Sequence, residues 1–423
     1  MSKVLKADYT TESVAGFTHR TALEEAARCL LCYDAPCSEG CPAGTDPGKF
    51  IRSIKFRNDK GAAETIRENN VMGGSCARVC PYDRLCEEAC SRCGIDKPIQ
   101  IGKLQRYALE QEKAYGMKIL QAPDEKKAGK IACVGAGPSS MACAAELAKA
   151  GYDVTIYDRN EKPGGVLTYG IVPSRLPQEV VDQDVQSVRD LGVKFEMGRE
   201  VKAADLDGFD AVYIGAGLWA PKLPPIEGTG LEGAIPANVY LKQARTAGDA
   251  FKETGKVIVI GGGDVAVDCA VTAKLGGADD VRIVYRRTLE EAPGNMVEFM
   301  YALSLGIGIT TNMAPEKLEG NGKVESMCFT GRKGVTEGSS LKLEADKVVF
   351  AIGQGAEDMK AIADIDVNEK GGIIAGEDGV TSGEKFFAGG DIVNGGQTVV
   401  EAVAEGKSAA ESIIAYLDKK GVK

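Results

Sequence analysis

Cysteine is the residue type with the clearest chemical potential in this chain. Nine of its 13 cysteines lie within Cys29–Cys93. They form two groups, in which most neighbouring cysteines are separated by two to four other residues. Each group contains a Cys-Pro pair, Cys41-Pro42 in the first and Cys80-Pro81 in the second. Thiolates at this spacing can enclose a soft metal centre, and bacterial ferredoxin loops end in Cys-Pro. The pattern predicts two [4Fe–4S] clusters, with structural zinc and disulfides as alternatives.

Spacing alone leaves the grouping of these thiols open. Local quartets would be Cys29, Cys32, Cys37 and Cys41, followed by Cys76, Cys80, Cys86 and Cys90. In two-cluster ferredoxins, however, the cysteine before proline binds the other cluster. The scattered Cys133, Cys143, Cys269 and Cys328 are interpreted as small core residues.

A glycine-rich loop, GAGPSS, indicates the first nucleotide site. It spans Gly135–Ser140, after a predicted strand at Ile131–Val134 and before a predicted helix at Ser140–Ala150. Glycine there permits a tight turn and a close approach of the backbone to a pyrophosphate, which the helix N-terminus then binds. Asp158 ends the next predicted strand, where a carboxylate would bind ribose hydroxyls.

A second loop, GGGDVA, repeats this arrangement at Gly261–Ala266. The strand after it, Val281–Tyr285, is followed by Arg286-Arg287 rather than by a carboxylate. Arginine accommodates a 2′-phosphate, so NADPH is favoured over NADH, although the pair could also be solvated surface arginines. A carboxylate follows the first loop and arginines follow the second, which predicts FAD at the first site and NADPH at the second. Such a pair relays hydride and releases single electrons.

These motifs predict a helical N-terminal region followed along the chain by an α/β fold. Helical periodicity covers much of residues 1–120, the polar stretch 121–130 is interpreted as a linker, and strands alternate with helices from there on. Such alternation predicts parallel sheets with helices on both faces. The segment Val399–Leu417 is predicted to be a terminal helix.

Composition excludes several classes of function. The chain has one histidine, His19, so histidine-based catalysis and histidine-rich metal sites are not expected. Its net charge of −10 argues against nucleic-acid binding. No apolar run is long enough to span a membrane, and no secretory signal is evident, so we expect a cytoplasmic protein with no membrane partner.

Three stretches resemble the N-terminal half of dihydropyrimidine dehydrogenase, and most closely its separate bacterial electron-input subunit. They are CLLCYDAPCSEGCPAGTDPGKFIRSI, GGSCARVCPYDRLCEEAC and PIQIGKLQRY. The resemblance continues through GAGPSS, PGG, IVPSRLP and AGGD to cover essentially the whole chain. The small subunit of glutamate synthase shares this plan.

The resemblance implies a domain plan. Residues 1–120 would form the helical domain with two clusters, followed by the 121–130 linker and two Rossmann-like domains. A discontinuous FAD domain would take 131–245 and 375–423, and an inserted NAD(P)H domain would take 246–374.

The resemblance also implies cluster ligands that spacing does not. One cluster would use Cys29, Cys32, Cys37 and Gln105, and the other would use Cys41, Cys80, Cys86 and Cys90. Cys76 and Cys93 would then be spare thiols.

Nucleotide contacts are implied in the same way, with no catalytic side chain. Asp158 stands where the family usually has glutamate, and some bacterial members without the second arginine use NADH. The FAD contacts would be Gly135, Ala136, Gly137, Pro138, Ser139, Ser140, Asp158, Gly164, Gly165, Val166, Arg175, Val201, Asp391, Gln397, Thr398 and Val399. The NAD(P)H contacts would be Gly262, Gly263, Asp264, Val265, Arg286, Arg287, Ala351, Ile352 and Gly353.

The implied function is that of an electron-input subunit. Electrons would pass from NAD(P)H through FAD and two [4Fe–4S] clusters to a separate FMN-containing subunit that reduces uracil or thymine. In the long form of the enzyme the FMN barrel and two further clusters follow in the same chain, so here a hetero-oligomer is expected. The alternatives are a glutamate synthase small subunit, a free-standing diaphorase, or a zinc-stabilised module with a vestigial nucleotide fold.

Overall fold

The structure, a computed structural model, describes residues 9–422. The helical part contains α1 (His19–Ala27), α2 (Pro36–Glu39), α3 (Pro47–Lys55), α4 (Asp59–Asn69), α5 (Gly73–Val79) and α6 (Ile101–Ala114), with 3₁₀ turns at Tyr82–Arg84 and Ser91–Gly94. It is followed by β1 (Lys130–Val134), α7 (Pro138–Lys149), β2 (Asp153–Asp158), α8 (Val166–Tyr169), α9 (Gln178–Asp190), β3 (Lys194–Met197) and β4 (Ala211–Ile214). Next come β5 (Ala234–Pro236), α10 (Ala237–Ala247), β6 (Lys256–Ile260), α11 (Asp264–Gly276), β7 (Asp280–Val284), α12 (Met296–Ser304), β8 (Gly308–Thr310), β9 (Met313–Glu319), β10 (Ser326–Gly331), β11 (Ser340–Glu344) and β12 (Lys347–Phe350). The last elements are β13 (Phe386–Ala388), α13 (Asp391–Asn394) and α14 (Val399–Lys419). Within residues 9–422, none of the helices has the length and apolar character needed to cross a bilayer.

Two parallel sheets carry the glycine loops. The first sheet has the order β13-β4-β1-β2-β3, and the second sheet has the order β5-β12-β6-β7-β8. In each sheet the strand before the glycine loop, β1 or β6, lies between the next strand of the chain and a later one. Ligands of such sheets bind at this switch point, beyond the carboxyl ends of the strands. The predicted α/β fold class is confirmed, whereas the antiparallel sheet β11-β10-β9 was not foreseen from the sequence.

The helical part packs around an apolar core of its own. The Asp46 side chain caps α3 by accepting a hydrogen bond from the Lys49 amide at 2.9 Å, and Pro47 occupies the first turn. This orients Phe50 and Ile54 inward, where both are fully buried. Four of the predicted cluster ligands, Cys29, Cys37, Cys86 and Cys90, pack against the same core.

The described chain divides into two compact units. The first-sheet unit contains Val14–Thr168, Arg175–Leu218 and the residues from Ala356 to 422, so it holds both the cysteines and the first glycine loop. The second-sheet unit contains residues 9–13, Tyr169–Ser174 and Trp219–Gly355, with the second glycine loop.

These units differ from the predicted domains at two boundaries. Strand β5 pairs with β12, so the chain joins the second sheet well before the predicted boundary at 245/246. At the other boundary, Met359, Ile365 and Ile373 belong to the core of the first sheet, although they fall within the predicted 246–374 domain. Lys130, predicted to end the linker, is the first residue of β1.

A buried arginine joins the helical part to the first sheet within their common unit. Arg67 on α4 is fully buried, and its guanidinium donates to Asp184 on α9 at 2.5 Å and to Glu112 on α6 at 2.9 Å. Asp184 also accepts hydrogen bonds from the amides of Gly74 and Ser75, at 3.1 and 2.7 Å, at the start of α5. Burial lowers the pKa of Arg67, but the two carboxylates outweigh it and the pKa is raised. The arginine is therefore held in its charged form by carboxylates from two helices, α6 and α9.

We predict that Arg67→Met strongly destabilises the protein. The change leaves Asp184 and Glu112 buried without a counter-charge, which costs about 3–5 kcal/mol. The measurement is the urea midpoint of unfolding followed by far-UV circular dichroism. The control is Arg20→Met, which removes an exposed pair with Glu24 and should leave the midpoint unchanged. Equal midpoints for the two variants would contradict a structural role for this network.

Candidate functional site

The first glycine loop is shaped for close contact with a ligand. Gly135 has φ of +96°, and a Cβ there would lie 2.5 Å from the carbonyl oxygen of Gly215. Gly137 precedes α7 and provides no side-chain cap, so the amides of the first turn remain available to an anion. Beside the loop, the hydroxyl of Ser140 is fully buried and lacks a hydrogen-bond partner among the described residues. The loop therefore has the backbone geometry that a bound pyrophosphate requires.

Asp158 lies at the end of β2, next to this loop. Its Oδ2 accepts a hydrogen bond from the Ala136 amide at 2.8 Å, and its Oδ1 accepts from the Asn160 amide at 2.7 Å. The carboxylate thus braces the glycine loop and still has lone pairs for ribose hydroxyls. The contribution of Asn160 was missed in the sequence, because it depends on the turn after β2.

The Gly164-Gly165 pair completes a cradle around the loop. The Gly164 amide donates to the Ala136 carbonyl at 2.8 Å, and a Cβ on Gly165 would lie 3.0 Å from the Cα of Gly137. Both glycines have positive φ, +118° and +56°. Of the other predicted contacts here, Val201 is buried in the core of the first sheet, so only its backbone can face a ligand.

The start of α14 lies beside the same loop. Gly390 has φ of +75°, and a Cβ there would lie 2.8 Å from the Ser139 hydroxyl. Burial raises the pKa of the adjacent Asp391, whose Oδ1 accepts from the Gln397 amide at 3.3 Å. Thr398 and Glu401 form a capping box, which leaves two amides of the first turn, those of residues 399 and 400, available to a negatively charged ligand.

The second glycine loop is covered by a turn that the sequence did not reveal. A Cβ on Gly262 would collide with the ring of Tyr285, and the Gly262 carbonyl accepts from the Gly294 amide at 3.1 Å. Asp264, in the first turn of α11, accepts from the Asn295 amide at 2.6 Å. The Pro-Gly-Asn turn at 293–295 therefore fixes the loop, and this turn motif was the available sequence signal.

The remaining predicted NAD(P)H contacts lie around this loop or beyond the neighbouring strands. A Cβ on Gly261 would collide with the Ala351 carbonyl just after β12, while Val265 and Ile352 are both exposed. Arg286 and Arg287 are exposed after β7, and neither forms an ion pair with any residue in the described range. Two uncompensated guanidinium groups at this position fit a 2′-phosphate.

Four cysteines line one solvent-open pocket in the helical part. They are Cys29, Cys32, Cys37 and Cys90. Two contacts hold the chain segments together: the Cys32 thiol lies 3.4 Å from the Ser91 hydroxyl, and Arg92 donates to the Arg28 carbonyl at 2.7 Å. We refer to these four thiols as the first thiol group.

A second thiol group contains Cys41, Cys76, Cys80 and Cys86. The Cys80 thiol is hydrogen-bonded to Cys76 and lies in the electrostatic field of Cys86 and Cys41. A Cβ on Gly40 would lie 3.4 Å from the Cα of Cys86, which places the Cys41 loop against that segment.

Gln105 lies on the side of the second thiol group. Tyr82, whose pKa is raised by burial and by the charges of Cys80 and Cys76, packs against Gly102. Gly102 is three residues before Gln105 on α6, so both are on one helix face. The Gln105 amide nitrogen donates to the Gly73 carbonyl of α5 at 2.7 Å, and its oxygen is the atom left for a metal.

The structure therefore corrects the predicted grouping. Cys90, predicted to join Cys41, lies instead with Cys29, Cys32 and Cys37. Gln105, predicted to join those three, lies near the second thiol group. The physical reason is the contact of the 91–92 turn with the 28–32 segment, which brings together thiols that are far apart in the chain.

Electrostatics indicates that both thiol groups are suited to a cationic centre. Burial raises the pKa of Cys37 to about 11, and the neighbouring Cys90 and Cys29 act in the same direction. Burial also raises the pKa of Cys86, with Glu87 and Cys41 contributing. Several thiolates can be ionised together only when a bound metal centre compensates their charge. Within 9–422 no three Cys, His or carboxylate side chains converge on a single-ion site.

Comparison with known families separates the helical, cysteine-rich part of the chain from the part that contains the two glycine loops. The family described as dihydropyrimidine dehydrogenase domain II, 4Fe-4S cluster, matches residues 6–117. The family described as pyridine nucleotide-disulphide oxidoreductase matches residues 129–406, more than half of the chain. The chain belongs to the pyridine nucleotide-disulphide oxidoreductase family.

Individual relatives show the same relationship over the full length. The chain is 43% identical over 417 residues to the NAD-dependent dihydropyrimidine dehydrogenase subunit PreT of Escherichia coli (strain K12), covering 97% of this chain and 98% of the relative. It is 32% identical over 451 residues to the glutamate synthase [NADPH] small chain of the same organism, covering 98% and 95%. The predicted resemblance is confirmed, and the family member described here is an NAD(P)H-dependent flavoprotein oxidoreductase with a 4Fe–4S domain.

Solved structures show the same fold. Mycobacterium tuberculosis FprA in complex with NADPH has a TM-score of 0.59 at 19% identity, covering 69% of this chain and 86% of FprA. Lactococcus lactis thioredoxin reductase has a TM-score of 0.57 at 20% identity, covering 69% of this chain and 99% of the reductase.

We predict that Cys90 and Cys41 support different clusters. Cys90→Ala should remove about half of the iron and acid-labile sulfide, and the same electron paramagnetic resonance (EPR) signal of the reduced protein as Cys32→Ala. Cys41→Ala should remove the other signal, and Gln105→Ala should alter that second signal. The control is Cys93→Ala, an exposed thiol outside both groups, which should keep all the iron. If Cys90→Ala and Cys41→Ala abolish the same signal, the corrected grouping is wrong.

Proposed function

We propose that this chain is the electron-input subunit of an NAD(P)H-dependent dihydropyrimidine dehydrogenase. It would take electrons from NAD(P)H through FAD and two [4Fe–4S] clusters to an FMN-containing catalytic subunit that reduces uracil or thymine to the 5,6-dihydro form. The observation that carries this proposal is the 43% identity to a subunit of that name over nearly the full length of both chains. We place it in the cytoplasm, where cysteine thiols stay reduced.

The cluster ligands follow from the thiol groups. One cluster would be held by Cys29, Cys32, Cys37 and Cys90. The other would be held by Cys41, Cys80, Cys86 and Gln105. For the second cluster Cys76 is the competing fourth ligand, because its thiol is hydrogen-bonded to Cys80.

The residues of this chain would position the cofactors and adjust their reduction potentials. They would not exchange protons with a substrate. Bound FAD would accept two electrons as hydride and release them singly. The Gly135–Ser140 loop and the Gly164-Gly165 pair would hold the pyrophosphate, with Asp158 on a ribose. The α14 N-terminus would favour negative charge on the flavin ring. Because the thiols and the first glycine loop share one compact unit, electrons need not leave that unit between flavin and clusters.

The decisive experiment combines two subunits. The partner would be an FMN-barrel protein with ferredoxin-like cysteines, and a gene for such a protein next to the gene for this chain would identify it. The two proteins should co-purify, and uracil should be consumed with NAD(P)H only when both are present. Dye reduction by this chain alone, with no pyrimidine reduction in the mixture, would instead support a diaphorase. Glutamine-dependent turnover with a different partner would support the glutamate synthase alternative, to which the chain is 32% identical.

We further predict that Arg286 and Arg287 set the cofactor preference. Replacing both with alanine removes two solvent-exposed charge pairs with a 2′-phosphate, each worth up to about 1 kcal/mol. The KM for NADPH should rise up to about thirtyfold, while the KM for NADH serves as the internal control and changes little. Steady-state dye reduction measures both. An unchanged ratio of the two constants would show that the arginines do not contact a phosphate.

A further inference from the structure

A lysine on the helix beside the first glycine loop reaches into the Cys41 loop. Lys407 lies on α14, which begins next to that loop. Its ammonium donates to the Ala43 carbonyl at 2.8 Å and to the side-chain oxygen of Asn69 at 2.6 Å. Asn69 in turn donates to the Ala43 carbonyl and the Thr45 hydroxyl, both at 2.9 Å. The ammonium group is therefore fixed at Ala43, which follows Cys41 by two positions in the chain.

The charge of Lys407 is not neutralised by an ion pair. Both of its hydrogen-bond acceptors are neutral, and within the described part of the chain no carboxylate forms a salt bridge with it. Glu146, the negative charge that acts on it most strongly, is itself paired with Lys149 at 2.8 Å. Lys407 thus presents a net positive charge to its surroundings.

The surroundings of this charge are partly desolvated. Burial lowers the pKa of Lys407, while the negative charges of Glu146, Cys41 and Glu411 act in the opposite direction. The field of a half-buried cation is screened less than that of a surface lysine. A neighbouring centre that changes its charge will therefore respond to Lys407.

We propose that Lys407 raises the reduction potential of the cluster bound by Cys41 and so makes that cluster an electron acceptor for the flavin. In the step concerned, one electron leaves the reduced FAD and enters the cluster, and Lys407 exchanges no proton. The cluster becomes more negative by one charge, which a nearby cation stabilises. Lys407 is a positioning and tuning residue, and its role rests on the proposed function through the Cys41 ligand assignment.

The test is an EPR-monitored redox titration of the intact flavoprotein. Lys407→Met and Lys407→Gln should each lower the equilibrium constant for reduction of the Cys41 cluster about tenfold, which corresponds to about 59 mV for one electron. The cluster of the first thiol group should keep its potential. Lys407→Arg, which retains the charge, should keep both potentials close to those of the parent.

Matched variants separate charge from hydrogen bonding. Lys419→Met is the control, since that exposed lysine lies on the same helix about 18 Å from Lys407 along the axis, so its loss should shift neither potential. A Lys407→Gln variant with the parental potential would mean that hydrogen bonding alone matters, and would overturn the proposal. Loss of iron in both neutral variants would likewise overturn it, because the lysine would then simply hold the loop.

The outcome also distinguishes this proposal from the ligand assignment beneath it. If Cys41→Ala leaves every cluster signal intact, the assignment of Cys41 as a ligand fails, and the tuning role fails with it. If Cys41→Ala removes a signal but Lys407→Met leaves the potential of that signal unchanged, only the tuning role fails.

Discussion

The ionic contact of Arg67 with Asp184 and Glu112 is the constraint on which the arrangement of the first-sheet unit depends. A fully buried arginine can be tolerated only when each of its charges and donors is matched, and here the matching groups come from α6 and α9. Asp184 adds a second function, because it accepts hydrogen bonds from the amides at the start of α5. The helix leading to Cys80 is thereby fixed to a helix of the first sheet, and the thiol groups and the first glycine loop are held in one unit.

The thiol groups illustrate a second constraint, the repulsion of crowded acids. Burial and neighbouring thiols raise the pKa values of Cys29, Cys37 and Cys86, so these side chains resist ionisation in the absence of a metal. Cluster binding reverses this cost, because the iron supplies the compensating charge. Nearby fixed charges such as Lys407 then act on the charge of the loaded site.

The sequence was informative wherever a signal is local. The predicted strand at Ile131–Val134 lies within β1, and the predicted terminal helix at Val399–Leu417 lies within α14, because strand and helix patterns depend on neighbours a few residues away. Helical periodicity extends over Thr18–Leu31, but α1 ends at Ala27, and Leu31 has a positive φ of 54° in the segment between Cys29 and Cys32.

What the sequence could not supply are the contacts between distant segments. The grouping of Cys90 with Cys29 depends on a turn at 91–92 meeting the 28–32 segment, and the role of Asp184 depends on a helix more than a hundred residues from Arg67. Neither contact produces a periodicity or a characteristic residue spacing in the sequence. Strand β5 was assigned to the wrong domain for the same reason, because its pairing partner β12 lies far along the chain.

Helix α14 connects these observations in one element. Its capping box at Thr398 lies beside the first glycine loop, and Lys407, about 13 Å further along the axis, contacts the Cys41 loop. Between them, Gly406 lies so close to the Ser139 carbonyl of α7 that any side chain there would collide with it. The close contact fixes the axial position of α14 against the nucleotide helix. Because α14 is rigid over these turns, the position of the cation near Cys41 and the position of the amides near the flavin loop cannot be varied independently. An adjustment of one would move the other, so the close contact at Gly406 sets both positions together.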